Sequence, residues 1–195
     1  MILGITGGTG CGKTTLLTEI EARGGLVLDC DAIYHELLNT DPSLLKAIGS
    51  AFPGVVENGA LDRKKLGNLV FSDENKLNLL NSITHAAVKQ EVLRRLEAKP
   101  RLAAIDAIAL FEGGLADLCD CTVAVTAPLE TRVKRLMARD SISEAYARKR
   151  IAAQHDEGWF RARCGAVLCN DGSKEDFRAK CLAFLSALDI MEEKR

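Results

Sequence analysis

The chain of 195 residues is long enough to bury a core without disulfide staples. Its formal charge of -1, from 26 basic and 27 acidic side chains, lacks the basic surplus of a general nucleic-acid binder. Seven cysteines, an odd number with no Cys-x-x-Cys spacing, argue against a disulfide framework or a zinc finger and read as reduced, mostly buried thiols.

Met1 to Thr6 is apolar but lacks a basic start and runs straight into glycines, so no leader segment is expected there. No apolar run approaches the ~18 residues of a membrane span. A soluble, cytoplasmic protein with no membrane or nucleic-acid partner is the expectation.

In chain order, short apolar runs alternate with longer amphipathic segments, the pattern of an α/β fold with a parallel sheet covered by helices on both faces. Strands are expected at Ile2–Thr6, Leu26–Asp29, Leu102–Asp106, Thr122–Thr126 and Ala166–Cys169. Helices are expected at Lys13–Arg23, Ala32–Leu38, Thr84–Ala98, Leu129–Arg139 and Lys174–Leu188. Asp41 to Ala98 shows no convincing strand. There Asp41-Pro42 reads as an N-cap followed by a first-turn proline, and Leu61–Phe71 and Lys76–Ile83 carry apolar residues at helical spacing. So long a helical stretch exceeds a simple crossover between strands.

One domain is therefore expected, with its core at about residues 1–40, 99–130 and 164–190 and a helical insertion at about 41–98. A third segment, about 131–163, is rich in basic residues and reads as a lid. Arg132, Lys134, Arg135, Arg139, Arg148, Lys149, Arg150, Arg161 and Arg163 face only Asp140, Glu144, Asp156 and Glu157. Glu192 to Arg195 read as a frayed polar tail.

The strongest signal lies at the first strand–helix junction. Gly7-Gly8-Thr9-Gly10-Cys11-Gly12-Lys13-Thr14 satisfies G-x-x-x-x-G-K-[ST], with a strand before it and a helix after it. Glycines allow positive φ angles that turn N–H groups inward around a phosphate, and the following helix adds its positive end. Lys13 would reach the β- and γ-phosphates, and the Thr14 hydroxyl would ligate Mg²⁺. No Asn/Thr-Lys-x-Asp base-reading element is present, and the chain is short for a motor ATPase, so a small kinase is favoured.

The acceptor side is less sharply written. Asp29-Cys30-Asp31 ends the second strand, where alternation would point both carboxylates toward the carboxyl edge of the sheet. Asp31 reads equally as general base for an acceptor hydroxyl or as an N-cap. Asp106 reads as a metal-shell carboxylate or as a turn residue. Glu112 follows on the same connection and could orient acceptor groups. His85, read as opening a helix, is an acceptor contact or a structural side chain. Arg135 and Arg139, four apart, share a helical face able to meet phosphate oxygens, with Arg150 in the next helix.

Together these residues resemble the dephospho-CoA kinase family. Gly4-Ile5-Thr6-Gly7-Gly8-Thr9-Gly10-Cys11-Gly12-Lys13-Thr14 carries the doubled glycine of that family, which a generic P-loop does not require. Asp29-Cys30-Asp31 matches its D-x-D element. Leu61-Asp62-Arg63 through Leu66 to Phe71, Leu80-Asn81 and His85 resemble its acceptor-side segment. Asp106 through Leu110-Phe111-Glu112 resembles its third-strand motif. Arg135, Arg139-Asp140, Arg150-Ile151 and Gln154 resemble its lid, and Asn170 with Gly172 its adenine-side loop. Ala86, Ile108 and Cys164-Gly165 depart from the usual pattern.

The resemblance implies a P-loop NTPase fold of three αβα layers, a helical acceptor-binding insertion and an Arg-rich lid. It implies ATP with Mg²⁺ as donor, dephospho-CoA as acceptor, and a monomer or weak homo-oligomer. Gly10, Cys11, Gly12, Lys13, Thr14, Thr15, Arg135, Arg150 and Asn170 would hold the nucleotide, and Thr14 and Asp106 the metal. Asp31, Arg63, His85 and Glu112 would hold the acceptor, with Lys13, Asp31 and Arg139 catalytic. Another small-molecule or nucleoside monophosphate kinase, or a P-loop switch protein, is the alternative.

Overall fold

The structure, a computed structural model, describes residues 1–192, with side chains to residue 189. The chain enters through strand β1 (Ile2–Thr6), then helix α1 (Lys13–Ala22) and β2 (Leu26–Asp29). Helices α2 (Cys30–Thr40) and α3 (Pro42–Ala51), a short hairpin of β3 (Val56–Glu57) and β4 (Ala60–Leu61), and helices α4 (Arg63–Val70) and α5 (Glu74–Leu96) follow. The chain returns through β5 (Ala103–Asp106) and β6 (Cys121–Thr126). Helices α6 (Leu129–Asp140), α7 (Glu144–Ala152) and α8 (Glu157–Arg163) lead to β7 (Ala166–Cys169) and α9 (Lys174–Glu192). Beyond Glu192, the expected polar tail lies outside the described residues.

Five strands form one parallel sheet in the order β2-β5-β1-β6-β7. Helices cover both of its faces, which is why β1, β5 and β6 read as apolar runs rather than as alternating strands. On one face Leu16 and Ile20 of α1 and Phe177, Cys181 and Leu185 of α9 pack on Leu3, Ile5 and Val123. On the other, Ile33 of α2 and Val88 and Val92 of α5 pack on Leu28 and Ile105. The chain leaves β1 toward one edge, by β2 and β5, and then toward the other, by β6 and β7. The carboxyl end of β1 therefore opens into the crevice where such sheets bind ligands.

Helix starts are strongly written. Asp29, Asp41, Asp62, Asp73, Ser143 and Asp156 each cap a helix by accepting a backbone N–H with the side chain. Helices α1 and α6 lack a side-chain cap: α6 follows Pro128, and the N-cap of α1 is Gly12, at φ 93°, so no side chain takes the free N–H groups at that start.

Three expectations are corrected. The stretch read as free of strands contains the β3–β4 hairpin, turned by Asn58 and Gly59 at φ 51° and 75°. Asn-Gly between short apolar runs is a hairpin signal in its own right, and it moves Leu61 out of the helix that Asp62 then caps. The segments Lys76–Ile83 and Thr84–Ala98 fall in one helix, α5, which ends at Leu96: no glycine or proline interrupts it, and the Thr84 hydroxyl bonds the Leu80 carbonyl at 3.0 Å within the helix instead of capping a new one. His85 thus lies in mid-helix. Finally, α2 begins at Cys30, so Asp29 is its cap and Asp31 sits in its first turn, not on an extended strand.

Candidate active site

The glycine-rich turn is built by close approach as much as by flexibility. Gly7 sits at φ 133°, and a Cβ there would lie 2.2 Å from the Val125 carbonyl oxygen of β6. A Cβ on Gly12 would lie 2.4 Å from Asn170 Nδ2. Side chains are therefore excluded where the loop passes the sheet and where it enters α1. The Lys13 ammonium donates to the Gly7 carbonyl at 3.3 Å, folding back over the loop. Thr14 and Thr15 follow in the uncapped first turn, where the helix end favours an anion.

Opposite Lys13 stands a set of carboxylates. Sheet register places Asp106 beside Ile5 of β1 and beside Asp29 of β2. Asp106 Oδ1 is buried with no hydrogen-bond partner, and the Lys13 ammonium is 3.8 Å away. Burial raises this carboxyl to about 6; Lys13 opposes the rise, while the charges of Asp29 and Asp31 reinforce it. Asp29 commits one oxygen to the Ala32 N–H at 3.0 Å. Asp31 is exposed and lines a neighbouring pocket.

That pocket, of about 150 Å³, is lined by Asp31 and Tyr34 of α2, Thr84 and His85 of α5, and Ile108 and Gly113 of the loop after β5. Cys30 also lines it, with a thiol that burial, helped by Asp106, Asp29 and Asp31, pushes up to about 12, so it stays neutral. His85, from the insertion, and Asp31, from the core, thus share one cavity. Glu112 and Arg63 do not line it. Glu112 Oε1 lies 2.8 Å from His155 Nε2, and Arg63 opens α4 with its charge felt at Tyr34.

The lid meets the glycine-rich turn from the other side. Arg135 donates to the carbonyls of Gly10 and Cys11 at 3.2 and 3.3 Å and to Asn170 Oδ1 at 3.3 Å. Asn170, only 4% exposed, donates to the Cys11 carbonyl at 2.9 Å. Arg139 and Arg150 converge on Asp140 at 2.7 and 2.6 Å, and Arg139 also reaches the Thr9 hydroxyl at 3.5 Å. Hydrogen bonding from Arg139, then Arg150, pulls the Asp140 carboxyl down to about 2. A cleft of about 650 Å³ flanks this turn, lined by Thr14, Thr15 and Thr18 of α1 and Lys174 and Arg178 of α9.

Residues 1–176 match the family described as dephospho-CoA kinase. A dephospho-CoA kinase of Thermus thermophilus is 39% identical, over 96% of this chain and 92% of its own length. One of Geobacillus kaustophilus is 34% identical over 99% of both chains. This chain belongs to the dephospho-CoA kinase family. Among solved structures, a Thermus thermophilus protein, 35% identical, aligns with a TM-score of 0.81 over 96% of this chain and 97% of its own. The dephospho-CoA kinase of Campylobacter jejuni, 26% identical, aligns at 0.60 over 95% and 96%. A shikimate kinase of Acinetobacter baumannii, 16% identical, shares the fold at 0.52 over 95% and 93%.

For this dephospho-CoA kinase family member, sequence reasoning gave no role to Arg132, His155 or Trp159 beside the site, and put Gln154 in the lid without a partner. Arg132 and Gln154 bond the Thr9 peptide, and His155 stacks on Trp159 with ring centres 3.8 Å apart. Arg132 was one basic residue among many, and Gln154 and His155 carry no pattern that announces a partner so far away in the chain. No helix among the described residues is long and apolar enough to cross a membrane.

Proposed function

We propose that this chain transfers the γ-phosphoryl group of ATP to the ribose 3′-hydroxyl of dephospho-CoA, giving coenzyme A and ADP. Family membership supports the reaction. The observation that carries the residue assignments is the placement of an uncapped, glycine-lined helix start beside a pocket walled by Asp31. The amides from Gly10 through Thr15 cradle the phosphates, with Cys11 and Gly12 contributing backbone only. Arg135, Arg150 and Asn170 complete the donor side, and the cleft beside Thr15 and Lys174 accommodates the base.

In the step itself, Asp31 accepts the proton of the 3′-hydroxyl as its oxygen bonds to the γ-phosphorus. The bond from phosphorus to the bridging oxygen breaks, and its electron pair leaves on ADP. Lys13 and Arg139 neutralise the charge spread over the equatorial oxygens. His85 lines the acceptor pocket, Arg63 lies within electrostatic reach of its Tyr34 wall, and Glu112 borders it through the loop after β5.

The partnerless, buried oxygen of Asp106 suits a hydrated Mg²⁺, which keeps several waters and takes few protein ligands. Asp106 and the Thr14 hydroxyl would hold it, and it would screen the β- and γ-phosphate charge. A cytoplasmic enzyme, monomeric or weakly self-associating, completes the proposal.

The test is to incubate the purified chain with Mg·ATP and dephospho-CoA and weigh the products. Coenzyme A and ADP in equal amounts are expected. Pantetheine phosphate and nucleoside monophosphates, offered in parallel, should remain unmodified. ATP consumption that ignores dephospho-CoA would overturn the reading.

A further inference from the structure

Thr9, at the crown of the P-loop, is gripped on both sides of its backbone by the lid. Its N–H donates to Gln154 Oε1 at 2.9 Å, and its carbonyl accepts from Arg132 Nε at 3.0 Å. Arg132 Nη2 donates to the same Gln154 oxygen at 2.8 Å, so two donors converge on one atom and the three groups close a ring.

Gly8 gives an independent sign of this grip. It is absent from the glycines with positive φ, so backbone conformation does not demand a glycine there. A Cβ at Gly8 would instead lie 2.2 Å from Arg132 Nη2 and 3.0 Å from Gln154 Oε1. The second glycine of the doubled pair, which phosphate binding leaves unexplained, makes room for the lid.

The next residue reaches the other substrate's side. His155 Nε2 is 2.8 Å from Glu112 Oε1, and its ring lies flat on Trp159, tilted by 1°. Arg163 covers Trp159 as well, its guanidinium carbon 4.4 Å from the ring centre. Glu112 belongs to the loop after β5 whose Ile108 and Gly113 line the acceptor pocket. Two consecutive residues therefore touch the donor loop and the acceptor loop.

We propose that Gln154, backed by Arg132, is a positioning residue for phosphoryl transfer. It holds the Thr9 peptide in register with the acceptor loop, which His155 holds through Glu112. The inference rests on the kinase reading above and adds to it how donor and acceptor are kept at reacting distance. In-line transfer is sensitive to displacements of an ångström, and a donor loop released from the lid admits water as a competing acceptor.

The test compares Gln154→Met, which keeps side-chain length but loses the acceptor oxygen, with Gln154→Glu, which keeps an acceptor, and with Gly8→Ala, which displaces the Arg132 guanidinium. Hydrogen exchange of the P-loop peptide, read without substrates, should quicken several-fold in Gln154→Met and Gly8→Ala and stay slow in Gln154→Glu. In turnover, Gln154→Met should lower kcat about tenfold to a hundredfold with KM for ATP within about twofold. It should also form more ADP than coenzyme A. Since both changes break one ring, the double variant should be no worse than either single one. Wild-type exchange with one ADP per coenzyme A in Gln154→Met, or additive effects in the double variant, would overturn the proposal. Failure of the wild-type chain to make coenzyme A would overturn the functional reading, while loop exchange would still decide whether the grip exists.

Discussion

Asp31 and Asp106 are both carboxylates at the carboxyl edge of the sheet, yet their surroundings separate their roles. Asp31 stands in the first turn of α2 and on the pocket wall, so it can serve the helix end and the acceptor together. Asp31→Asn should lower turnover by ~10²–10⁴ while leaving KM for ATP nearly unchanged, as steady-state rates at varied ATP would register. Asp106 is the strained member, buried and raised from 3.8 to about 6. Its native form binds a proton more tightly than the unfolded chain does, so stability falls as pH rises from about 4 through 6. In metal-free protein, Asp106→Asn should raise Tm above pH 7, by a free energy of at most about 3 kcal/mol, a figure that already includes the Lys13 attraction. The gain should vanish near pH 4, and transfer should collapse at every pH. Thermal melts across that range, set beside activity, would reveal both effects.

At the scale of elements, the contrast among helix starts carries the chemistry. Aspartate or serine caps seven helices among the described residues, while α6 follows Pro128 and α1 begins on Gly12 without a side-chain cap, α1 directly after the glycine-rich turn. That start is held against the end of β7 by Asn170, whose N–H bonds the Thr126 carbonyl at 2.8 Å while its side chain bonds Cys11. Asn170→Ala should cost about 1–3 kcal/mol, because it strips a buried carbonyl of one donor and leaves Arg135 one acceptor short. Denaturant midpoints would give that cost, and KM for ATP should rise more than KM for the acceptor. The β3–β4 hairpin shows how a residue pair decides an element, and α5 how a polar side chain is absorbed inside one. Asn58-Gly59 supplies two positive φ angles, and the Thr84 hydroxyl finds a carbonyl one turn back.

Across the molecule, burial is divided among several apolar clusters. Two clamp the sheet, one fills the insertion and a small one joins the lid helices. Ile48 of α3 is fully buried in the insertion cluster beside Leu44, Phe52 and Leu66, away from the sheet. Ile48→Ala should therefore cost about 2–5 kcal/mol and loosen α3 to α5 before the sheet. Hydrogen exchange should quicken in those helices while β1 and β6 stay protected, with KM for the acceptor raised and KM for ATP little changed. Equal quickening in β1 would show that insertion and core unfold as one unit.

The P-loop was legible in the residues alone because its physics is local. Consecutive glycines, a following lysine and a helix start set the φ angles, the free amides and the charge within a few positions. Strand β1 runs from Ile2 to Thr6 as its apolar run announces, and most other strands differ from expectation by a residue at most. The conformation around Asp31 was not legible, since a cap and a first-turn residue two positions apart look alike until the helix start is seen. Least legible was the hold of the lid on both loops. Thr9 and Gln154 lie 145 positions apart, and Glu112 and His155 lie 43 apart. Short-range sterics and hydrogen bonding write a glycine-lined turn and an open helix start into adjacent residues, whereas only the tertiary packing of α6 to α8 decides which distant side chains close around it.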